Sequence, residues 1–187
     1  MSVNTNGAHD TVRPVRIKGR IFMSVLKNKR KECKAEYVNE TYKAYVQTVE
    51  FVSKLSARYS RLIASDVVHT AYEAMRCAES ANSIFPGTES QMHMREEYLV
   101  NARAYLKSLD VSLSVCYDIL MKNPQGAFTT SSGKDVQARD AVRKLDNMAQ
   151  SLGESIDNGI RMISGVIKSD KDKLRKQKKQ SDTVSDE

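Results

Sequence analysis

No tryptophan occurs in this chain of 187 residues, proline occurs three times and glycine eight times. So few turn-formers exclude a β-rich domain, which needs turn signals about every 8–12 residues. No apolar run reaches the roughly 18 residues that a membrane span requires, so no segment is expected to cross a bilayer. The first ten residues are polar and lack the apolar core of a secretory signal. Three cysteines, Cys33, Cys77 and Cys116, are odd in number and widely spaced, without a CxxC pair. That pattern argues against a disulfide framework and fits reduced thiols in the cytoplasm. Cys77 and Cys116 fall on apolar helix faces and read as small core residues.

The motifs of common catalytic sites are also missing. The chain contains no HExxH, no GxxxxGK[ST], no GxGxxG and no GxSxG. Neither catalysis, a cofactor nor a bound metal is therefore expected. Three histidines occur, His9, His69 and His93. Asp66-x-x-His69 resembles half of a bundle di-metal motif, but such sites use Glu-x-x-His twice with two further inward glutamates. The favoured reading is a capping Asp66 and a surface or interface His69, with a site assembled across subunits left open.

What is abundant is helix-forming residues in periodic stretches. The first spans 38–63, with Val38, Tyr42, Tyr45, Val49, Val52, Leu55, Tyr59 and Ile63 in one stripe. Its tyrosines, with Tyr37, read as core or subunit interface in preference to a platform for stacking bases. The second spans 66–84, with Val67, Ala71, Ala74, Ala78 and Ala81, a small-residue stripe that lets helices approach closely. Ser65 or Asp66 is its expected cap, and Phe85-Pro86-Gly87 ends it.

The third is the most regular. Met92, Arg95, Leu99, Ala102, Leu106, Leu109, Leu113, Cys116 and Leu120 step by three and four, and only Arg95 breaks the apolar rule. It should lie at the centre of the core, stopped by Asn123-Pro124-Gln125-Gly126. The fourth starts near Lys134 with Ser132 as cap. Its stripe is Ala138, Val142, Leu145, Ala149, Leu152, Ile156, Gly159, Ile163 and Val166. Gly153 and Gly159 each cost about 1 kcal/mol in a helix interior, so they mark close packing or a bend. Four such stripes with short connections predict an all-α, up-down four-helix bundle. The organisation is a disordered start at 1–14, a basic amphipathic arm at 15–36, the bundle at 37–168 and a charged tail at 169–187. The arm's apolar face (Ile17, Ile21, Val25) is free to dock on the bundle, a neighbouring subunit or a partner.

The net charge of +7 is unevenly placed. Over 11–34 there are nine basic residues, Arg13, Arg16, Lys18, Arg20, Lys27, Lys29, Arg30, Lys31 and Lys34, against Glu32 alone. Over 168–179 there are seven, including Lys168, Lys171, Lys173, Arg175 and Lys176, against Asp170 and Asp172. The stretch between them holds 14 basic and 16 acidic residues. Two basic flanks around a near-neutral body point to a phosphate-bearing partner, with an acidic protein left open as the alternative.

Residues 72–84 read Tyr-Glu-Ala-Met-Arg-Cys-Ala-Glu-Ser-Ala-Asn-Ser-Ile. This stretch resembles the second helix of the four-helix-bundle family that includes ribosomal-RNA intervening-sequence proteins and the accessory variability determinant, Avd, of diversity-generating retroelements. Glu97, Tyr98 and Leu99, followed by Ala102 and Leu106, are similar to that family's third helix. The resemblance covers roughly 37–168, and the basic flanks favour the Avd-like branch. It implies a homopentameric barrel of four-helix protomers that binds a reverse transcriptase and its template RNA and supports mutagenic copying. The long N-terminal arm and lysine-rich C-terminus depart from the short members, which leaves open whether these extensions or the bundle surface make the contacts.

Overall fold

The computed structural model describes residues 33–128 and 136–184, with side chains through residue 176. The start at 1–14, most of the arm at 15–36 and Ser132 lie outside the described residues. Four helices make up the described chain: α1 (Glu36–Lys54), α2 (Ala57–Ser83), α3 (Glu89–Met121) and α4 (Ala138–Val184). Each packs on its chain neighbours, and α1 closes the square against α4. This is the expected up-down all-α bundle.

The interior is built from the small and branched residues of each stripe. On α2, Val67, Ala71, Ala74, Ala78 and Ala81 are all buried. Leu99, Ala102, Leu106 and Leu109 of α3 are completely enclosed, which makes α3 the centre of the core as expected. On α4, Leu145, Leu152, Ile156 and Ile163 face inward, while at its ends Ala141 and Ile167 are buried where Ala138 and Val166 were expected. A Cβ placed on Gly159 would stand 3.0 Å from Leu106 Cδ1, so this glycine marks a close approach of two helices.

The first two helices divide differently from the periodicity. One helix was expected over 38–63, but the chain breaks at Leu55 and Ser56, both extended (ψ 152° and 153°). Tyr59 and Ile63 therefore belong to α2, and Ser65 and Asp66 sit inside that helix, not at its cap. The break carries no proline or glycine. It is held by the segment after α3: Ser56 N–H donates to the Ala127 carbonyl at 2.8 Å, and Ser56 Oγ donates to the Gly126 carbonyl at 2.8 Å. The apolar spacing runs straight through because both sides of the turn face the same core.

The buried face of α1 is also rotated from the expected stripe. It consists of Tyr37, Val38, Thr41, Ala44, Thr48, Phe51 and Val52. Tyr42 and Tyr45 are half-buried and Val49 is exposed. Two threonines are fully enclosed because their hydroxyls donate back along the helix, Thr41 to Val38 O at 3.0 Å and Thr48 to Ala44 O at 2.7 Å. With its hydroxyl satisfied, a threonine fills the space of a valine.

Sharp signals bound α3. Thr88 Oγ1 accepts from Gln91 N–H while Gln91 Oε1 accepts from Thr88 N–H, a reciprocal cap. Beyond its end, Pro124–Gly126 forms one turn of 3-10 helix, and Ala127 and Phe128 then plug the core, both fully buried. Phe128 was not among the expected core residues. Helix α4 begins at Ala138, a turn later than expected, and runs unbroken through Val184. The stretch assigned to a tail from 169 is thus largely a continuation of α4. Among the described residues no helix is long and apolar enough to cross a membrane.

Candidate nucleic-acid interface

Lys34 and the basic residues of α4 through Lys176 lie at one end of the bundle, where α1 and α3 begin and α2 stops. The anchor there is Arg95. Its Nε lies 2.9 Å from Asp170 Oδ2, and its Nη1 donates to Ala81 O at 2.7 Å and to Ile84 O at 3.3 Å. One side chain thus binds carbonyls at the end of α2 and fastens α4 to α3. Both charged side chains are nearly enclosed, 13% and 11% exposed. Tyr37 lies beside them with its hydroxyl buried and without a well-formed hydrogen bond. Burial pushes that phenol above its ordinary range, opposed by the neighbouring guanidinium.

The pairs Arg95–Asp170 and Tyr117–Asp146 set an antiparallel register between α3 and α4. By that register the last eight or so residues of α4 run past the first residue of α3. The basic residues assigned to the C-terminal flank from Lys168 to Lys176 lie just before that overhang, alongside the first turns of α3. Lys168, Lys171 and Arg175 step by three and four and share a face, whereas Lys173 points to the other side. There Lys173, Lys34, Tyr37, Arg95 and Asp170 border a depression of about 490 Å³. The last residue of the N-terminal basic run and a residue of the C-terminal one thus line the same surface.

Not every expected base is free. Lys171 Nζ sits 2.8 Å from Glu96 Oε1, Lys173 Nζ 3.4 Å from Asp170 Oδ1, and Arg175 Nη1 3.8 Å from Asp172 Oδ1. Lys34, Lys168 and Lys176 are exposed and have no ion pair among the described residues. The more exposed pairs, Lys171–Glu96 and Arg175–Asp172, are worth under about 1 kcal/mol each, so a phosphate can displace them. Arg13, Arg16, Lys18, Arg20, Lys27, Lys29, Arg30 and Lys31 lie outside the described residues.

Three residues that organise this end, Arg95, Asp170 and Glu96, were not expected there. For Arg95 the signal was present as the single charge in an otherwise apolar stripe. The tyrosines do not form one exposed stack. Tyr37 and Tyr59 are buried, and Tyr45 meets Tyr72 edge to face with centroids 6.1 Å apart. Asp66 and His69 are exposed along α2. Among the described residues no three His, Cys, Asp or Glu side chains gather as metal ligands. Cys77 and Cys116 are buried, and burial pushes both thiols up, away from reactivity. Compared with protein-family models, curated proteins and solved structures, the chain matches none.

Proposed function

We propose that this protein binds RNA through the basic end of its bundle and performs no chemistry on it, serving as an accessory to a reverse transcriptase. The observation that carries the reading is the meeting of Lys34 and Lys173 at one depression, beside the exposed basic face of α4. Flanks from opposite ends of the sequence then act as one electrostatic footprint. The body between them carries slightly more acid than base and offers phosphate little attraction. The resemblance of residues 72–84 and 97–106 to the Avd-like bundles supports the reverse transcriptase, mutagenic cDNA synthesis in a diversity-generating retroelement, and an assembly of five subunits in the cytoplasm.

Nuclease-treated protein and labelled RNA, titrated across salt, test the reading. Affinity is expected to fall steeply as salt rises, and absence of binding at low salt would remove the central claim. Deleting residues 1–34 should weaken binding more than reversing charges on the body. Co-purification of a polymerase from the neighbouring reading frame tests the second partner.

A second reading, an oligomeric protein scaffold without a nucleic-acid role, draws on the outer face of α3. Val111, Val115 and Ile119, at successive four-residue steps, are 63%, 54% and 41% exposed. An apolar row of this kind fits a subunit contact. This reading predicts a stable oligomer by light scattering with no affinity for RNA.

A further inference from the structure

We propose that a groove between α3 and α4, remote from the basic end, receives a bulky apolar side chain carried on a lysine- or arginine-rich segment of a partner protein. The groove arises where small residues face each other. Ser114 on α3 lies across from Ala149 and Gly153 on α4, and these residues line a space of about 350 Å³ that the buried Phe51 and Leu152 also border. That volume falls at the lower end of the range for ligand clefts, roughly 300–1,000 Å³, and holds one or two side chains.

The space is a local feature and not general looseness between the helices. A Cβ on Gly153 would meet nothing within 4 Å, whereas six residues further along α4 a Cβ on Gly159 would meet Leu106 Cδ1 at 3.0 Å. The same helix carries one glycine where contact is tight and another where the surface stays open.

The rim decides what enters. Asp110 and Asp118 both line the groove, one on each side of Ser114 and about 12 Å apart along α3. Both are exposed, and neither carboxylate has an ion-pair partner among the described residues. On the α4 side, Asp146 accepts a 2.6 Å hydrogen bond from the Tyr117 hydroxyl, which adds a third carboxylate beside the groove. An apolar floor beneath unpaired carboxylates complements a cationic segment with an apolar anchor. It repels phosphate, so nucleic acid and anionic lipid are poor occupants. The inference therefore stands apart from the RNA reading and from the lysines on which that reading depends.

The test uses the full chain and a fluorescein-labelled peptide in which Phe and Leu are flanked by lysines, followed by fluorescence anisotropy at low salt. Saturable binding is expected, weakened about tenfold or more by Gly153→Leu and by Ala149→Leu, each of which fills the groove. Circular dichroism and melting of both variants should stay at or above those of the unsubstituted protein. Asp110→Asn with Asp118→Asn should weaken binding severalfold and flatten its salt dependence. Absence of saturable binding would overturn the proposal. So would equal binding of a peptide with Phe and Leu replaced by Ser, equal binding of one with its lysines replaced by Glu, or undiminished binding by both filled variants.

Discussion

Arg95 Nε stands 2.9 Å from Asp170 Oδ2, a nearly enclosed ion pair joining α3 to α4. The same guanidinium caps the carbonyls of Ala81 and Ile84, so three helices depend on one side chain. Removing one partner of such a pair strands the other in low dielectric, which outweighs what the intact pair contributes. Arg95→Met is therefore expected to lower stability by about 3 kcal/mol in urea denaturation. Asp170→Leu alone should also destabilise, and the double variant should lose clearly less than the two single losses combined. Additive losses would mean that the pair is not coupled.

Two of the three glycines of α4, Gly153 and Gly159, should respond in opposite directions. Gly153→Ala places a methyl in open space. It should raise stability by about 0.5–1 kcal/mol through the helix preference alone. Gly159→Val presses on the enclosed Leu106 and should cost about 1–3 kcal/mol. Melting temperatures of the two variants measured side by side decide this.

Exposed lysines at the basic end should set the salt dependence of RNA binding. Replacing Lys34, Lys168 and Lys176 together with Gln removes three cations that have no ion pair among the described residues. For single-stranded RNA the slope of log affinity against log salt should become shallower by about 2. An unchanged slope would place the phosphate contacts elsewhere.

Alkali should weaken the fold. Tyr37 and Tyr117 both titrate above the ordinary phenol value of 10.0, Tyr37 because of burial and Tyr117 because its hydroxyl donates to Asp146. A raised phenol pKa means that the native state holds its proton more tightly than the unfolded chain does. The associated stability is complete below pH 10 and is lost as pH rises through the folded values. Urea midpoints should fall between pH 9 and about pH 11, and the fall should be smaller in Tyr37→Phe.

The outer face of α3 gives the last expectation. If Val111, Val115 and Ile119 form a subunit contact, Val115→Arg should lower the mass seen by light scattering while leaving helicity unchanged. An unaltered mass would assign the contact to another surface.

The alanine stripe of α2, the leucine stripe of α3 and the stop at Asn123-Pro124 were legible in the sequence. Each rests on interactions within a few residues of itself, such as helical spacing, a proline or a small side chain. The break at Leu55 and Ser56 was not legible, because its hydrogen bonds come from Gly126 and Ala127, some seventy positions away. Nor were the enclosed Thr41 and Thr48, polar by type but satisfied by their own helix, or Phe128, buried by a loop. The charge flanks could be counted along the chain. Tertiary packing alone brought Lys34 to Lys173 and paired Lys171 with Glu96, and it left Asp110 and Asp118 over an open groove. Local sequence settles periodicity and stops because these act over one or two turns. Which charges are paired and which small residues face one another depends on how four helices register against each other, and that is decided only when the core closes.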